Sequence, residues 1–168
     1  LARAFRLEPK NADTAYALGE AYRVQSLAGG ENYRQETTEA MGWFQRGRQL
    51  NPWDSHNYLG YGSCLDSLGR YGEAAPYFSR AEALDPNGYF TVARIGLHYV
   101  ECGDYAAARP WFERSLRLKN QDNPIARNYL DIANRRLLEA ATNPLDAALL
   151  RAGSFPVNSA GAGHSQVQ

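Results

Sequence analysis

A spacing of 34 residues recurs through the middle of this chain and constrains its fold more than any other feature of the sequence. Pro52 and Pro86 are 34 residues apart, and the residues that follow each of them repeat at the same interval. A fixed period of this length indicates stacked copies of one supersecondary unit, none of which buries its apolar face alone. The matched pairs are Gly62 and Gly96, Leu65 and Tyr99, Gly69 and Gly103, Tyr71 and Tyr105, Ala74 and Ala108, Phe78 and Phe112, Ala81 and Ser115, and Leu84 and Leu118.

An earlier unit fits the same pattern once an insertion is allowed. Pro9 and Pro52 are 43 residues apart, so this unit contains nine extra residues, which fall at about Ser26 to Arg34. That segment is rich in glycine and polar residues, and we expect it either to project as a loop or to lengthen its two flanking helices by a turn. The chain begins at Leu1 inside the pattern, and we interpret the sequence as a piece of a longer protein.

Within each unit the apolar residues follow a helical period. The first helix of the earliest complete unit carries Ala15, Leu18, Gly19 and Tyr22, which is the spacing of one helix face. A glycine inside a helix costs about 1 kcal/mol relative to alanine, so a close helix–helix contact is expected at each glycine of the matching column. This column contains Gly19, Gly62 and Gly96. The second helices carry the aromatic pairs Trp43-Phe44, Tyr77-Phe78 and Trp111-Phe112.

The combined pattern of Gly-x-x-Tyr, Gly-[Arg/Asp]-Tyr, a later Ala and Phe, and a closing proline resembles the tetratricopeptide repeat (TPR). Its clearest copy is YGSCLDSLGRYGEAAPYFSRAEALDP, from Tyr61 to Pro86. The resemblance covers roughly residues 1 to 140, and the third unit departs from it because Asn120 stands where a proline is expected. It implies an all-α fold, a TPR-type right-handed helical solenoid of antiparallel helix hairpins with a C-terminal capping helix.

The repeat boundaries divide the chain into a solenoid and a tail. We expect the solenoid to span residues 1–141 and the tail to span residues 142–168, with a short helix followed by an extended segment. The short helix, Asn143 to Gly153, is predicted to pack on the end of the stack, and the extended residues from Phe155 onward are predicted to lie along the groove of their own chain or of a neighbouring chain. The solenoid is predicted to contain 1–9 as the end of a preceding repeat, 10–52 as the repeat with the insertion, 53–86 and 87–120 as regular repeats, and 122–141 as the capping helix.

Charge and hydropathy exclude several kinds of partner. The chain has 18 Lys and Arg residues and 18 Asp and Glu residues, so it offers no net attraction to nucleic acid or to an anionic membrane. No apolar run is long enough for a bilayer span, and no direct membrane insertion is expected from this stretch of sequence. Two cysteines are too few for a disulfide framework, which leaves the cytoplasm and the periplasm both open.

A metal site is the strongest chemical alternative in the sequence. His98 and Cys102 have the i, i+4 spacing that places two ligands on one helix face. They also occupy the repeat columns of Cys64 and Leu68, which are packing positions between helices. A zinc site needs more ligands than these two, so we interpret both residues as packing residues and expect no metal and no cofactor.

Catalysis has no clear basis in the sequence. Glu20 and Asp66 are acids of the right kind for proton transfer, but nothing in the sequence predicts a pocket that raises the pKa of either one. We therefore expect a protein that is not an enzyme.

The resemblance implies that the first helices line a concave groove that binds a peptide. The groove residues follow from the helical period, since they lie opposite the core stripe at 100° per residue. In the third unit this face is apolar, and either an external ligand or internal cover by the cap or the tail would explain it. The predicted groove residues are Asp13, Tyr16, Glu20, Arg23, His56, Leu59, Ser63, Asp66, Phe90, Ala93, Arg94, Leu97, Arg127 and Asp131, with Val100 completing the apolar stripe.

Two functions are consistent with these features. The first is a protein–protein interaction scaffold that binds a peptide or a helix in the groove. A clamp for acidic chaperone termini is not expected, because the matching positions hold Tyr16, Glu20, Gly60 and Phe90, and Arg94 alone fits. The second is an accessory domain of a larger bacterial enzyme. The run NPIARNYLDI resembles the C-terminal TPR regions of bacterial membrane proteins of the O-antigen ligase type, which implies glycan assembly by the parent protein.

Overall fold

Seven α-helices and no strands make up the part of the chain that the structure describes, which is residues 10–142 of a computed structural model. The predictions for residues 1–9 and for the tail beyond Thr142 lie outside these described residues. The helices are α1 (Ala12–Ser26), α2 (Tyr33–Leu50), α3 (Ser55–Ser67), α4 (Tyr71–Leu84), α5 (Tyr89–Glu101), α6 (Tyr105–Leu118) and α7 (Pro124–Thr142). This is the all-α stack of helix hairpins that the resemblance implies.

The helix starts follow the local sequence. Asn11 and Asp54 cap α1 and α3, because their side chains accept hydrogen bonds from the backbone N–H groups of Thr14 (2.9 Å) and His56 (3.0 Å). The turns α3–α4 and α5–α6 each contain a glycine with positive φ. These are Gly69 at 72° and Gly103 at 76°. The glycine in the motif Gly-[Arg/Asp]-Tyr therefore supplies the left-handed residue that reverses the chain within each hairpin.

The helices form antiparallel hairpins that stack in chain order. Helices α1 and α2, α3 and α4, and α5 and α6 pack as pairs, and α7 packs on α6. Consecutive first helices also approach each other closely, α1 with α3, α3 with α5, and α5 with α7, with α-carbons within 8 Å. Within residues 10–142 the α-carbons of α2 and α4, and of α4 and α6, do not come that close, and side chains such as Arg114 and Glu82 bridge them instead. The first helices are therefore closer together than the second helices, and the stack curves with the first helices on its inner side.

A phenylalanine of each second helix fills the core of its own hairpin. Phe44, Phe78 and Phe112 are buried, and the ring of each lies against the glycine of the column on its partner helix. The fit leaves little room for a side chain on the glycine, as predicted for Gly62 and Gly96. A β-carbon would lie 2.6 Å from the Phe44 ring at Gly19, 3.0 Å from the Phe78 ring at Gly62, and 2.7 Å from the Phe112 ring at Gly96.

The nine extra residues of the first hairpin mostly lengthen its helices. Helix α1 has 15 residues and α2 has 18, against 13 and 14 in the next hairpin. The loop of residues 27–32 accounts for the rest. Of the two predicted forms, the structure has the extended helices, with only a short exposed loop between them. Gln25 Nε2 donates to Glu36 Oε1 at 2.7 Å and joins the lengthened ends of the two helices.

Helix α7 closes the stack at its C-terminal end. Ala126 and Ala133 are buried against the preceding hairpin, and much of the rest of the helix is exposed. Asn123 is the N-terminal cap of α7, because its Oδ1 accepts from Ala126 N at 3.3 Å while its Nδ2 donates to Ser115 Oγ at 2.9 Å. One buried amide thus fixes α7 to α6. None of the helices within residues 10–142 is long and apolar enough to span a bilayer.

Candidate binding site on the first-helix face

The inner side of the stack, formed by the exposed parts of α1, α3 and α5, is called the first-helix face below. Three aromatic rings run along it from one repeat to the next. Tyr16 and His56 meet edge to face with centroids 5.7 Å apart, and His56 stacks on Phe90 at 5.9 Å. His56 is exposed, and the other two rings are half-buried. Because aromatic surface with a polar tip suits protein recognition, this ladder is the main feature of the face.

Burial raises the pKa of one residue in this ladder, Tyr16, and a nearby carboxylate raises the pKa of another, His56. Burial and the nearby carboxylate of Glu20 raise the pKa of Tyr16 to about 12, so its hydroxyl stays a hydrogen-bond donor at neutral pH. A hydrogen bond of 3.0 Å to Asp54 Oδ1 raises the pKa of His56, although partial burial opposes the effect. The Asp54 carboxylate thus orients the His56 ring and caps α3 at the same time.

Arg94 joins two repeats beside the ladder. Its Nη2 donates to Ser63 Oγ at 2.5 Å across the contact of α5 with α3, and its guanidinium lies 5.9 Å from the centroid of Phe90. Burial lowers the pKa of Arg94. It forms no ion pair with any carboxylate of residues 10–142, so its remaining N–H groups are available to an acceptor on a ligand.

A second arginine is already occupied. Arg23 donates to both carboxylate oxygens of Glu20, at 2.8 Å from Nε and 2.7 Å from Nη2. This bidentate pair raises the pKa of Arg23. A small cavity of about 80 Å³ lies between Arg23 and Arg94, and Ser63 and Leu97 are part of its wall. The cavity is a polar recess of the first-helix face, large enough for one small group rather than for a whole ligand.

Sequence reasoning missed a buried ion pair at the floor of this recess. Asp66 Oδ1 on α3 lies 2.9 Å from His98 Nδ1 on α5, and both side chains are less than a tenth exposed. The His98 ring also stacks on Phe78, with centroids 4.6 Å apart. Burial lowers the pKa of His98, but the hydrogen bonds to Asp66 and Cys102 outweigh it and raise the pKa to about 9. His98 is therefore protonated at neutral pH and donates to Asp66.

Several sequence-based assignments change as a result. The sequence did not predict a pocket that raises the pKa of Asp66. In the structure burial raises this pKa, although the hydrogen bond from His98 acts in the opposite direction. His98 is in the core as predicted, but it is half of an ion pair rather than simple filling. Leu59 and Ala93, both predicted to line the groove, are only 1% exposed. Because consecutive first helices contact each other, these flanking side chains are covered and offer no surface to a ligand.

The apolar stripe of the third unit is covered in part by the cap. Leu97 and Val100 are half-buried and pack against the core cluster that contains Ala93 and Ala126 of α7. Phe90 packs against the neighbouring cluster and keeps part of its ring at the surface. Internal cover by α7 therefore accounts for the inner part of the stripe, and Phe90 is the stripe residue that adds aromatic surface to the first-helix face.

Three predicted residues stand apart from this arrangement. Asp13 is exposed in the first turn of α1, and Asp131 is exposed on α7. Arg127 reaches back along the chain, and its Nη2 donates to Asn120 O at 2.7 Å. The structure brings together Tyr16, His56 and Phe90 as one group and Glu20, Arg23, Ser63, Arg94 and Leu97 as another, with Asp66 beneath the second.

The chemistry of these groups suits binding. Within residues 10–142, no cluster of three or more His, Cys, Asp or Glu side chains has the arrangement of a metal site. Cys64 is fully buried, and burial raises the pKa of its thiol to about 12, so it behaves as a small apolar side chain. The first-helix face offers three aromatic rings, the Tyr16 hydroxyl and the Arg94 guanidinium, which has no carboxylate partner within residues 10–142.

The comparisons with known proteins agree with this fold. Residues 55–87 and 92–122 match the model of the tetratricopeptide repeat. Over 121 residues the chain is 26% identical to anaphase-promoting complex subunit 3 of Schizosaccharomyces pombe, an alignment that covers 72% of this chain and 17% of that protein. The chain thus spans about a sixth of the length of this curated relative.

Two solved structures show the same architecture. A thermophilic TPR protein of Thermus thermophilus superposes with a TM-score of 0.70 at 17% identity, covering 77% of this chain and 68% of that one. The TPR2B domain of yeast Sti1, solved in a complex with pHsp70, superposes with a TM-score of 0.61 at 17% identity, covering 74% and 97%. The chain carries tetratricopeptide repeats in a TPR-type solenoid, whereas the resemblance to O-antigen ligases gains no support from these matches.

Proposed function

We propose that this chain, a solenoid of tetratricopeptide repeats, is a binding scaffold that holds an extended peptide or a helix of a partner protein along its first-helix face. The observation that carries the proposal is the continuous aromatic ladder of Tyr16, His56 and Phe90, which crosses three repeats at ring spacings below 6 Å. A linear ligand matches a linear row of rings, because each repeat then contributes one contact to it.

The groups beside the ladder supply polar contacts to such a ligand. Arg94 offers N–H donors that no carboxylate of the described residues occupies, and the hydroxyl of Tyr16 stays protonated at neutral pH. Arg94 is held between Ser63 and Phe90, so little side-chain entropy is lost when a ligand binds it. Structural neighbours support the general role, since one was solved in a complex with pHsp70 and another bound to an HSP90 peptide.

The experiment is a selection of peptides from a random library displayed on phage, followed by affinity measurements with variants. Phe90→Ala and His56→Ala remove ladder rings, and each is expected to weaken the selected peptides by about tenfold. Arg117→Ala, on the exposed surface of α6, is the matched control and should leave the affinity unchanged. Peptides that bind all three variants equally would place recognition elsewhere and contradict the proposal.

Two further ideas stay predictions. Docking of the C-terminal tail in the groove concerns residues outside 10–142, and truncation after Ala141 should raise the affinity for selected peptides if the tail competes with them. The alternative function is an accessory TPR domain of a larger bacterial enzyme of glycan assembly. In that case the first-helix face would bind another part of the parent protein. Sequencing the gene upstream of the codon for Leu1 tests it, because several hydrophobic spans would favour this alternative.

A further inference from the structure

A second row of stacked side chains crosses the opposite side of the stack, between the second helices α2 and α4. Arg48 of α2 lies over the rings of Tyr77 (4.8 Å) and Tyr58 (5.3 Å). Arg80 of α4 then lies between Tyr58 (6.0 Å) and Trp53 (5.8 Å). These five residues, called the second-helix ladder below, alternate aromatic rings with guanidinium groups and end at Trp53 in the loop between α2 and α3.

The outer end of this ladder is open to solvent. The Trp53 side chain is 73% exposed, and it is the most exposed of the large hydrophobic side chains in residues 10–142. Its backbone is nevertheless held in place, because Trp53 N donates to Asn51 Oδ1 at 3.2 Å and the Tyr58 hydroxyl donates to Pro52 O at 3.2 Å. The indole is therefore displayed on a braced loop, which lowers the entropy lost when a partner covers it.

The repeat pattern does not require Trp53 or Tyr58, although Arg80 matches Arg114 and Tyr77 matches Trp111 in the next unit. The positions that match Trp53 in the following two units hold Asn87 and Gln121. The position that matches Tyr58 in the next unit holds Val92. A solvent-exposed tryptophan in a column of polar loop residues has no role in packing the solenoid, so its contribution lies at the surface.

The charges of the second-helix ladder are uncompensated. Neither Arg48 nor Arg80 forms an ion pair with any carboxylate of residues 10–142. Arg48 donates from Nη2 to the neutral amide of Gln45, and its Nε is buried without an acceptor. Two guanidinium groups held by rings, with N–H donors to spare, match carboxylates in number and geometry. Nearby carboxylates already have partners: Asp54 contacts His56 and Asn57, Glu73 contacts Arg70, and Glu82 contacts Arg114.

We propose that the second-helix ladder is a second docking surface, separate from the first-helix face, and that its occupant is an acidic segment of a partner protein. Carboxylates of that segment pair with Arg80 and Arg48, and an apolar side chain next to them covers the Trp53 indole. Tryptophan, tyrosine and arginine are the residue types most enriched at the energetic centres of protein interfaces, and the ladder consists of these three alone.

The test uses the whole chain, labelled with ¹⁵N, and a peptide of four glutamates and two leucines with both ends capped, so that no terminal carboxylate is present. Titration should shift the Trp53 indole N–H resonance and the resonances around Arg80. Trp53→Ala and Arg80→Ala should each lower the affinity about tenfold, and higher salt should weaken binding further. Arg117→Ala, which removes an exposed arginine of α6 outside both ladders, is the control and should leave the affinity for this peptide unchanged.

Other outcomes overturn the proposal. The same peptide with lysine in place of glutamate should not bind, and equal binding of both would exclude charge complementarity. Absence of binding at millimolar peptide, or shifts confined to the first-helix face, would show that the second-helix ladder is not a docking surface. Binding of phosphatidylserine vesicles through Trp53 in preference to the acidic peptide would assign the surface to lipid and would equally contradict it.

Discussion

The two junctions between complete repeats have equivalent positions but different side-chain chemistry. At the second junction Asp66 of α3 and His98 of α5 form a buried ion pair. The matching positions of the first junction hold Arg23 of α1 and Cys64 of α3. There the cysteine is a buried apolar group, and Arg23 turns to Glu20 on its own helix. At this point an ion pair joins the two helices of the second junction, and among the described residues no ion pair crosses the first.

The junction with the cap extends the comparison. Its matching positions hold Val100 and Ile132, which are both apolar and half-buried. The solenoid therefore does not need an ion pair to join two repeats. A buried pair gains little over apolar residues of similar size, while the loss of one partner leaves an uncompensated charge. The pair at the second junction borders the polar recess, since Asp66, His98 and Arg94 line that recess together.

The largest expected effect comes from breaking the pair. His98→Ala leaves Asp66 buried without its partner and should lower the free energy of unfolding by about 3–5 kcal/mol, measured by urea denaturation. The matched control is the double variant Asp66→Val with His98→Ile, which copies the residue types of the cap junction. It should be at least as stable as the parent chain. A loss below about 1 kcal/mol for His98→Ala would contradict the importance of the pair.

The second largest effect is expected in the pH dependence of stability, which should differ between the parent chain and the double variant. The pKa of His98 in the folded chain is about 9, above its ordinary value of 6.5. The raised pKa adds on the order of 3 kcal/mol to the free energy of unfolding. This stabilisation is fully present below about pH 6.5 and is lost as the pH rises through about 9. The range from about pH 6 to about pH 9.5 includes the pKa of His98 in both the unfolded and the folded chain. Across it the melting temperature of the parent chain should fall as the pH rises. The double variant, without either titrating group, should not show the same fall, and identical profiles would refute the assignment.

The glycine column tests what the hairpins share. A β-carbon at Gly96 would lie 2.7 Å from the Phe112 ring, whereas at Gly62 the closest approach to Phe78 is 3.0 Å. Gly96→Ala should therefore cost about 1–3 kcal/mol through overpacking. Gly62→Ala should change stability by about 1 kcal/mol or less, because the better helix propensity of alanine offsets a milder contact. Both losses are measurable by denaturant melts, and the reverse order would show that the two hairpins pack differently from this description.

The insertion of the first hairpin is expected to matter least. Deleting residues 26–34 shortens α1 and α2 to the lengths found in the next hairpin and removes an exposed loop. The loss of stability should be only about 1 kcal/mol, because the shorter loop has a smaller entropy cost of closure, which offsets part of the loss. Circular dichroism and thermal melting report the outcome. A cooperative loss of the fold would mean that the added turns are essential to the first hairpin.

The fold was largely predictable from the sequence because it is periodic. The 34-residue spacing identified the glycines as points of close helix–helix contact, and the structure adds that a phenylalanine ring lies against each of them. Asn11 and Asp54 are residue types that favour N-caps, so these caps depend on local chemistry. Each of these features depends on one position and its helix. The form of the insertion could not be decided in advance, since helix extension and a longer loop both accommodate nine residues.

The candidate site was less predictable because its contacts join different repeats. Helical angles placed Leu59 and Ala93 on the groove side, but the angles do not show that the adjacent first helix covers them. The pair of Asp66 and His98 joins residues 32 positions apart, and a histidine in a packing column gives no sign of its partner. The available signal was charge complementarity between equivalent columns of successive units. Comparing Trp53 with its matching positions would likewise have revealed the second-helix ladder.

The central claim is that a partner polypeptide lies along the first-helix face. Cross-saturation NMR on a complex with a selected peptide tests it directly, because saturation passes from the ligand only to protein protons in contact with it. The account predicts the strongest transfer to the rings of Tyr16, His56 and Phe90, with weaker transfer at Arg94. Transfer confined to the second helices, or to α7 alone, would contradict the claim that this face is the binding site.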